Sequence, residues 1–389
     1  GVMSDYSVVG SDVAPEPIIP PVMQARISEM QEQVRDGSFR LDSMPGYVAG
    51  SRPSPDTWHN IDALEIYPLV WGRECGQNGI GKLREVALTE ITEWEKFAFY
   101  DQDPAYFPQM HGSYSTLDTS KMRDQSYAYQ AAMEEHGVVV HRVEMPNPPV
   151  SAYGPAKSTW GIAELFVLRG GSVLPKRGIN PFAYGRSEYF SLWAMQRLGI
   201  PVLGAITGTG IAECGPSMFL AEDVFLVARG RAFNDEGIAQ FFDMVQRSSG
   251  LDEGDMNFLT IDCPNPYYFD PATGLSHHPD MLIGPLDNRK VIAYPPGIDY
   301  DTLRWLKSHD FEIVEVEHDE QIRFAPANVL LIEPGLVVMH AEAPKAIAAV
   351  RKAGVEVIPI EYSEFLKEGG GLHCSTGLIW RDRGPYSTD

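Results

Sequence analysis

The sequence has few cysteines, little positive charge and no long apolar run. Its four cysteines lie far apart in 389 residues, with no Cys-x-x-Cys pair, which argues against zinc and dithiol redox motifs. No apolar run approaches the ~18 residues that a transmembrane helix requires. The net charge of −22 disfavours nucleic acid and anionic membranes as partners, because both require clustered Lys and Arg. Few cysteines and no signal peptide predict a cytoplasmic location.

The remaining composition is that of an ordinary globular enzyme. Apolar residues make up 44% of the chain and charged residues 22%. A chain of this length forms one large domain or two modest ones. Its core is large enough to be stable without disulfides.

Residues 1–69 differ from the rest of the chain. Seven prolines interrupt the segment up to residue 55: Pro15, Pro17, Pro20, Pro21, Pro45, Pro53 and Pro55. One short helix is predicted over 22–34, with Val22, Ile27, Met30 and Val34 on one side. We interpret the segment as an arm that wraps the domain or a neighbouring subunit, which predicts a homo-oligomer. A partly disordered leader is the alternative.

From residue 70 to residue 389, strands alternate with helices, which predicts one catalytic domain of the α/β class. The predicted strands are 83–88, 138–143, 165–168, 201–205, 224–227, 258–261, 291–294, 311–316, 329–332, 336–339 and 355–360. The predicted helices are 122–136, 186–198, 235–247, 300–308, 344–353 and 361–367. Three of them end at a glycine just before a strand, the expected C-terminal cap: Gly137, Gly199 and Gly354.

The most informative stretch is Gly-Gly-Gly-Leu-His-Cys-Ser-Thr at residues 369–376. Three glycines let the backbone approach a ligand without interference from side chains. A cysteine that follows such a loop can lie at the edge of a pocket, where a thiolate is a strong nucleophile. A buried cysteine in a glycine-rich turn is the alternative for Cys374, and its neighbours argue against it.

A second motif, His278-Pro279-Asp280, is followed by an apolar stretch to Asp287 and by 291–294. Imidazole titrates near neutral pH, so His278 is a candidate general acid and base. The alternative is a polar surface turn. A competing alignment places this motif at 259–262, ending at Asp262, but it lacks a histidine.

Two further acids complete the set. Glu213 lies in Ala-Glu-Cys-Gly-Pro at residues 212–216, and 234–237 follow as a candidate helix start. Glu164 precedes the apolar run 165–168. Alone, Glu164 would be interpreted as a solvent-facing charge on a strand.

The four motifs, taken in order, resemble those of the pentein superfamily, the guanidine-modifying enzymes that include arginine deiminase and glycine amidinotransferase. The resemblance covers about residues 70–385 and implies a five-bladed α/β propeller in a single domain, with no cofactor and no metal. It implies that Cys374 is the nucleophile, that His278 is the acid and base and that Glu213 orients the histidine. By the same resemblance, Glu164 and Asp280 bind a small-molecule substrate.

Four departures from the superfamily motifs bear on the substrate. Cys214 and Pro216 replace a glycine and an aspartate, Ala163 replaces an arginine, and Glu164 is one methylene longer than the usual aspartate. Aromatic residues that could stack on a ring are Tyr153, Trp160, Phe182 and Tyr184, although core packing accounts for most such residues.

Among superfamily members, the chain most resembles those that hydrolyse 2-nitroimidazole to imidazolone and nitrite. An arginine deiminase or an amidinotransferase is the alternative, in which ammonia or an amine leaves, or an amine replaces water as the acceptor. A degenerate pentein that only binds a partner is the non-enzymatic alternative.

Overall fold

The computed structural model describes residues 21–44, 47–52, 63–93, 116–144, 161–177, 187–265 and 269–383. Its strands are β1 (Leu83–Thr89), β2 (Val139–Val143), β3 (Phe166–Leu168), β4 (Gly171–Leu174), β5 (Val202–Ala205), β6 (Met218–Ala221), β7 (Val224–Gly230), β8 (Asn257–Cys263), β9 (Ile283–Asp287), β10 (Lys290–Ala293), β11 (Glu312–Glu315), β12 (Leu330–Glu333), β13 (Leu336–His340), β14 (Glu356–Ile360) and β15 (Thr376–Arg381). Its α-helices are α1 (Pro21–Asp36), α2 (Ala63–Trp71), α3 (Thr119–Glu135), α4 (Ser187–Leu198), α5 (Asp235–Ser249), α6 (Tyr300–Ser308), α7 (His318–Phe324), α8 (Pro344–Lys352) and α9 (Ser363–Lys367).

The strands form five sheets of three strands each. In every sheet the middle strand pairs antiparallel with one neighbour and parallel with the other. A helix crosses between the two parallel strands, as α4 does between β4 and β5 and α5 between β7 and β8. The repeated unit is therefore strand, strand, helix, strand, and it confirms the five-bladed α/β expectation.

One of the five sheets joins distant parts of the chain. Strand β15 pairs antiparallel with β1, so that Val86 lies opposite Leu378 and Leu88 opposite Thr376. Strand β1 also pairs in parallel with β2. The last strand thus completes the unit that the first two strands begin, and this pairing closes the ring of units.

The predicted strands and helices are all present in the described ranges, with ends moved by a few residues. The pattern of apolar residues did not predict four of the strands and two of the helices that the structure contains. These are β4, β6, β9, β15, α2 and α7. Strand β4 begins at Gly171, and β9 contains Gly284 and Pro285. Glycine and proline have low strand propensity. Pairing with a neighbouring strand holds these two strands in place.

Helix α1 confirms the helix predicted near the N-terminus, and on its predicted apolar side Ile27 is half-buried whereas Met30 and Val34 are exposed. Met30 is 43% exposed and Val34 is 65% exposed. The segments 1–20, 45–46 and 53–62 lie outside the described residues, so the arm at 1–69 and the domain boundary at residue 70 stay predictions. No helix in the described ranges is both long enough and apolar enough to cross a membrane.

A group of phenylalanines lies in the core between two sheets. Phe225 is fully buried and makes edge contacts with Phe166 and Phe241, at ring-centroid distances of 5.8 and 5.4 Å. These three rings come from β7, β3 and α5, so the contact joins two neighbouring sheets and one crossing helix. Rigid packing of this kind holds the ends of the strands in fixed positions.

The start of helix α5 is tied to the loop that precedes β6. The Asn234 side chain accepts hydrogen bonds from the backbone N–H groups of Gly237 and Ile211, and it donates one to the Thr209 carbonyl. Asn234 is thus both the N-cap of the helix and a brace for the chain that leads to Glu213.

We expect Asn234→Ala to lower the free energy of unfolding by about 1–2 kcal/mol, measured by urea unfolding. The matched control is Asp118→Ala, because Asp118 caps α3 through Ser120 and Lys121. Both variants lose a cap, but only Asn234→Ala releases the loop 207–213. Amide exchange in that loop should therefore be faster in Asn234→Ala alone, and equal exchange in the two variants would contradict the bracing role.

Candidate active site

Each of the five units places a polar residue just before its first strand. Glu164 precedes β3, Glu213 precedes β6, Asp280 precedes β9, Asn328 precedes β12 and Cys374 precedes β15. Glu164, Asn328 and Cys374 stand at the same offset from the strand that follows. Because the units are arranged in a ring, equivalent positions in them face one another.

A small cavity lies where these loops meet. It is lined by Ala163, Glu164, Gly215, Pro216, His278, Asp280 and Cys374. Its volume is about 10 Å³, far below the ~300–1,000 Å³ of pockets for drug-sized ligands. A wider cleft between α2 and Trp380 contains none of the motif residues. The structure therefore brings four of the five candidate residues to one cavity, and Glu213 lies directly behind His278.

Two glycines allow the loops to come this close. A Cβ atom on Gly215 would lie 2.0 Å from the Ala163 carbonyl oxygen, and one on Gly371 would lie 2.5 Å from Nε2 of His340. Neither position has room for a side chain. Gly371 belongs to the triple glycine before Cys374, so its close approach accounts for that part of the motif.

Cys374 is buried and held by two polar neighbours. Its Sγ lies 3.2 Å from Oδ2 of Asp280, to which the thiol donates, and Nδ2 of Asn328 donates to the sulfur at 3.0 Å. Burial raises the pKa of the Cys374 thiol well above its ordinary value, and the negative charge of Asp280 raises it further. Both effects favour the neutral thiol over the thiolate at Cys374.

Asp280→Asn is expected to make resting Cys374 more reactive. Removal of the carboxylate lowers the thiol pKa, and each unit gives about a tenfold larger thiolate fraction at a given pH. We expect alkylation by iodoacetamide at pH 8 to be about tenfold faster, with the whole rate profile between pH 7 and 10 moved to lower pH. Asp262→Asn is the matched control, because Asp262 is exposed on β8. Slower or unchanged labelling of Asp280→Asn would contradict the charge effect.

Asn328 was not among the residues predicted from the sequence. It is fully buried, and its Oδ1 accepts from the backbone N–H groups of His373 and Cys374 at 2.9 and 3.3 Å. Its Nδ2 also donates to the Asp280 carbonyl oxygen at 3.1 Å. The side chain therefore orients the loop that carries Cys374 and supplies a donor to its sulfur. Only its position before β12, equivalent to that of Cys374 before β15, could have pointed to it.

We expect Asn328→Ala to lower kcat by about 10- to 100-fold, because a hydrogen bond to a charged group contributes about 1.5–3 kcal/mol. The loss should be accompanied by a higher thiol pKa in the labelling profile of Cys374. Asn257→Ala is the control, since Asn257 makes its side-chain bonds to Asp223, away from the cavity. Retention of full activity by Asn328→Ala would show that the donor is dispensable.

His278 and Glu213 form a buried pair. Nε2 of His278 lies 2.8 Å from Oε2 of Glu213. Burial alone would raise the pKa of Glu213, but the charge of Arg177 and the hydrogen bond to His278 outweigh it and lower the pKa to about 2. Glu213 is therefore ionised at neutral pH, and an ionised acid fixes the orientation of the imidazole.

Glu213, His277 and His278 also present possible metal-ligand atoms within 4.8 Å of one another. The guanidinium of Arg177 lies 3.0 Å from Oε2 of Glu213. Its positive charge disfavours a metal cation at the same carboxylate. The arrangement is therefore better suited to an organic acid–base pair than to metal ligation.

Glu164 and Asp280 each keep one oxygen available. Oε2 of Glu164 and Oδ1 of Asp280 are buried with no hydrogen-bond partner among the described residues. Buried acceptors without partners are costly, and both acids line the cavity. These oxygens are therefore candidate contacts for a ligand.

The pKa values of the two acids differ in direction. Burial would raise the pKa of Asp280, but the hydrogen bond and charge of His373 outweigh burial and lower it. Burial raises the pKa of Glu164, and the charge of Glu213 adds to that effect. Arg177 opposes the rise at Glu164, so the two carboxyl groups lie in different electrostatic surroundings.

Other sequence expectations have mixed outcomes. Asp262, the competing position for the second motif, is exposed on β8 and away from the cavity. The four aromatic residues suggested for stacking, Tyr153, Trp160, Phe182 and Tyr184, lie outside the described residues. Arg177 contacts both Glu164 and Glu213, and no motif in the sequence indicated it.

Comparison with known proteins agrees with the fold and the motifs. The family model of arginine deiminase matches residues 298–381. The chain is 35% identical over 367 residues to 2-nitroimidazole nitrohydrolase from Mycobacterium sp. (strain JS330). The aligned region covers 91% of this chain and 95% of that protein.

Two solved structures support the fold. A dimethylarginine dimethylaminohydrolase from Pseudomonas aeruginosa superposes with a TM-score of 0.56 at 16% identity, over 77% of this chain and 100% of that one. The N-terminal domain of a cyanobacterial arginine dihydrolase superposes with a TM-score of 0.59 at 15% identity, over 75% and 96%. Because the 35% identity extends along nearly all of both sequences, the chain belongs to the pentein superfamily, in the family of that nitrohydrolase.

Proposed function

We propose that the protein is a cysteine-dependent hydrolase that removes the nitro group of 2-nitroimidazole, giving imidazolone and nitrite. One observation carries the proposal: Cys374, His278, Asp280 and Glu164 line a single small cavity in a chain 35% identical to 2-nitroimidazole nitrohydrolase. C2 of that ring is a trigonal carbon between two nitrogens. It has the geometry of the guanidinium carbon that other members of the superfamily attack.

The first half-reaction displaces nitrite. The Cys374 thiol gives its proton to Asp280, the carboxylate that it contacts, and the sulfur adds to C2 while the π electrons move onto the ring. The ring then re-forms its double bond and expels nitrite with the electrons of the C–N bond. Asn328 donates to the sulfur, and the free oxygens of Glu164 and Asp280 are available to the ring nitrogens. The result is a ring joined to Cys374 by a C–S bond.

The second half-reaction releases the product. A water molecule gives a proton to His278 and adds its oxygen to C2. The C–S bond then breaks, the electrons return to sulfur, and imidazolone leaves. The ionised Glu213 stabilises the imidazolium that forms on His278. The sum is one water consumed and one nitrite and one proton released.

An arginine deiminase or amidinotransferase is the second candidate, supported by the family model that matches residues 298–381. In those reactions ammonia or an amine leaves, or an amine takes the place of water. A degenerate pentein that only binds is a weaker candidate, because a nucleophile, a base and two acids lie together in this chain.

The test is a panel of substrates: 2-nitroimidazole, arginine, agmatine, and arginine with glycine. Nitrite, ammonia and ornithine are measured in each reaction. We expect nitrite and imidazolone in equal amounts from 2-nitroimidazole alone. Ammonia or ornithine from the guanidino compounds, without nitrite, would instead establish the second candidate.

Assembly and location are further parts of the proposal. The exposed Met30 and Val34 of α1 fit an arm at residues 1–69 that packs on a second copy of the chain. Deletion of the arm should lower the mass measured by light scattering, and an unchanged mass would remove the arm from the interface. Four free cysteines fit a reducing compartment, such as the cytoplasm.

A further inference from the structure

A guanidinium group already lies at the carboxylates behind the cavity. NH2 of Arg177 contacts Oε1 of Glu164 and lies 3.0 Å from Oε2 of Glu213. The Arg177 side chain is 5% exposed, and the two acids are 5% and 0% exposed. A buried ion pair of this kind is stable only when its partners stay together.

The backbone holds Arg177 in this place. Arg177 follows strand β4, and its neighbour Lys176 forms two reciprocal backbone hydrogen bonds with Ala212, both of 3.0 Å. The Ala212 bridge places Arg177 beside Glu213. This bridge positions the backbone next to Arg177.

Resting on the proposed function, we propose that Arg177 occupies the subsite of a substrate guanidinium, so that the cavity accepts a neutral planar azole and rejects guanidino and amidino cations. Glu164 is the residue that the superfamily motif assigns to a guanidinium clamp. One of its oxygens is taken by Arg177, which leaves only Oε2 for a ligand. A second cation would be repelled by Arg177 at this short distance.

The hydrogen-bonding capacity of the remaining oxygens fits the same ligand class. A neutral azole offers one N–H donor and one nitrogen acceptor, whereas a guanidinium offers donors only. Oδ1 of Asp280 is buried without a partner among the described residues and can accept from the azole N–H group, whereas one oxygen of Glu164 is already taken by Arg177. The cavity therefore offers fewer free acceptors than the several donors of a guanidinium require.

Two alkylating agents that differ mainly in charge test the proposal: neutral 2-chloroacetamide and cationic 2-chloroacetamidine. Their rates of reaction with Cys374 are measured by mass spectrometry, and the rate with the amide is divided by the rate with the amidine. Dividing this ratio by the same ratio for glutathione corrects for the intrinsic reactivity of the two reagents. We expect the wild-type protein to favour the amide by at least tenfold. We expect Arg177→Met to move the ratio at least tenfold toward the amidine, because Oε1 of Glu164 is freed and the positive charge is removed. Arg177→Lys should keep the wild-type preference.

The control is Arg247→Met, because Arg247 pairs with Asp243 on the exposed side of α5 and should leave the ratio unchanged. A wild-type preference for the amidine would overturn the proposal, as would an unchanged ratio in Arg177→Met. Arg177→Gln replaces Arg177→Met if the latter does not fold, with the same expected direction.

A second measurement does not depend on Cys374. In Arg177→Met, 5 mM guanidinium chloride should raise Tm by several degrees relative to 5 mM sodium chloride, because the ion binds the vacated subsite of the folded state. The wild-type protein should show no such increase. If Cys374 reacts with neither reagent, the proposed nucleophile is wrong, but a higher Tm of Arg177→Met in guanidinium chloride still supports a guanidinium subsite that Arg177 occupies. Equal Tm values of Arg177→Met in the two salts would overturn that subsite.

Discussion

Cys374→Ser is expected to lower kcat for nitrite release by on the order of 10⁴- to 10⁶-fold. Loss of a catalytic nucleophile has effects of this size, because the remaining groups cannot form the covalent intermediate. Serine is close in size to cysteine, so the loop held by Asn328 through the His373 and Cys374 N–H groups should keep its shape. A hydroxyl is far less acidic than a thiol, so His278 and Asp280 cannot activate it in the same way.

The matched control is Cys263→Ser. Cys263 is also buried, at the end of β8, where burial and the nearby Asp299 raise its pKa to about 12. It lies outside the cavity, and we expect the activity of this variant to stay within about twofold of the wild type. Nitrite release by Cys374→Ser at more than about a hundredth of the wild-type rate would rule out an obligatory thio-adduct.

His278→Asn is expected to stop the reaction after its first half. The variant should release a burst of about one nitrite per active site and then turn over roughly 10³-fold more slowly than the wild type, because general base catalysis contributes about 10²–10⁴. The ring should remain attached to Cys374, where intact-protein and peptide mass spectrometry would detect it. Asparagine keeps a donor for Glu213, which limits disturbance of the buried cluster.

Two further variants make the assignment of His278 specific. Glu213→Gln should show a smaller loss, about 10²-fold, because the base remains but is no longer stabilised as imidazolium. His318→Asn is the control, since His318 forms a hydrogen bond with Tyr294 and lies outside the cavity. If His278→Asn releases no nitrite at all, His278 acts before the adduct forms, and the order of steps proposed above is wrong.

The contacts of Arg177 with the two buried acids distinguish this site from one that binds a substrate guanidinium. The acid at position 164 and the histidine-orienting acid at position 213 are both predicted from their motifs, and each motif by itself is compatible with an arginine substrate. Arg177 contacts both and supplies the cation from within the chain. The residues named in the motifs therefore identify the chemistry, whereas a residue outside them bears on the substrate.

The apolar alternation predicted most of the strands and helices because hydrophobic periodicity is a local property of the chain. It missed β4 and β9, in which glycine or proline lowers strand propensity and a neighbouring strand provides the pairing. The fivefold repeat could not be read from the sequence either. The same backbone unit is built from different residues each time, and one unit is completed only when β15 pairs with β1.

By itself the sequence determined the chemical groups and their order, from Glu164 through Glu213, His278 and Asp280 to Cys374, together with the α/β class. These follow from short motifs and local patterns, each contained in a few consecutive residues. Only the tertiary structure decided that Glu164, His278, Asp280 and Cys374 meet in one small cavity with Glu213 behind His278. It also decided that Asn328 contacts the Cys374 sulfur and that Arg177 contacts both Glu164 and Glu213. Those facts depend on the closure of a ring of sheets, and the contacts join residues that no local pattern links.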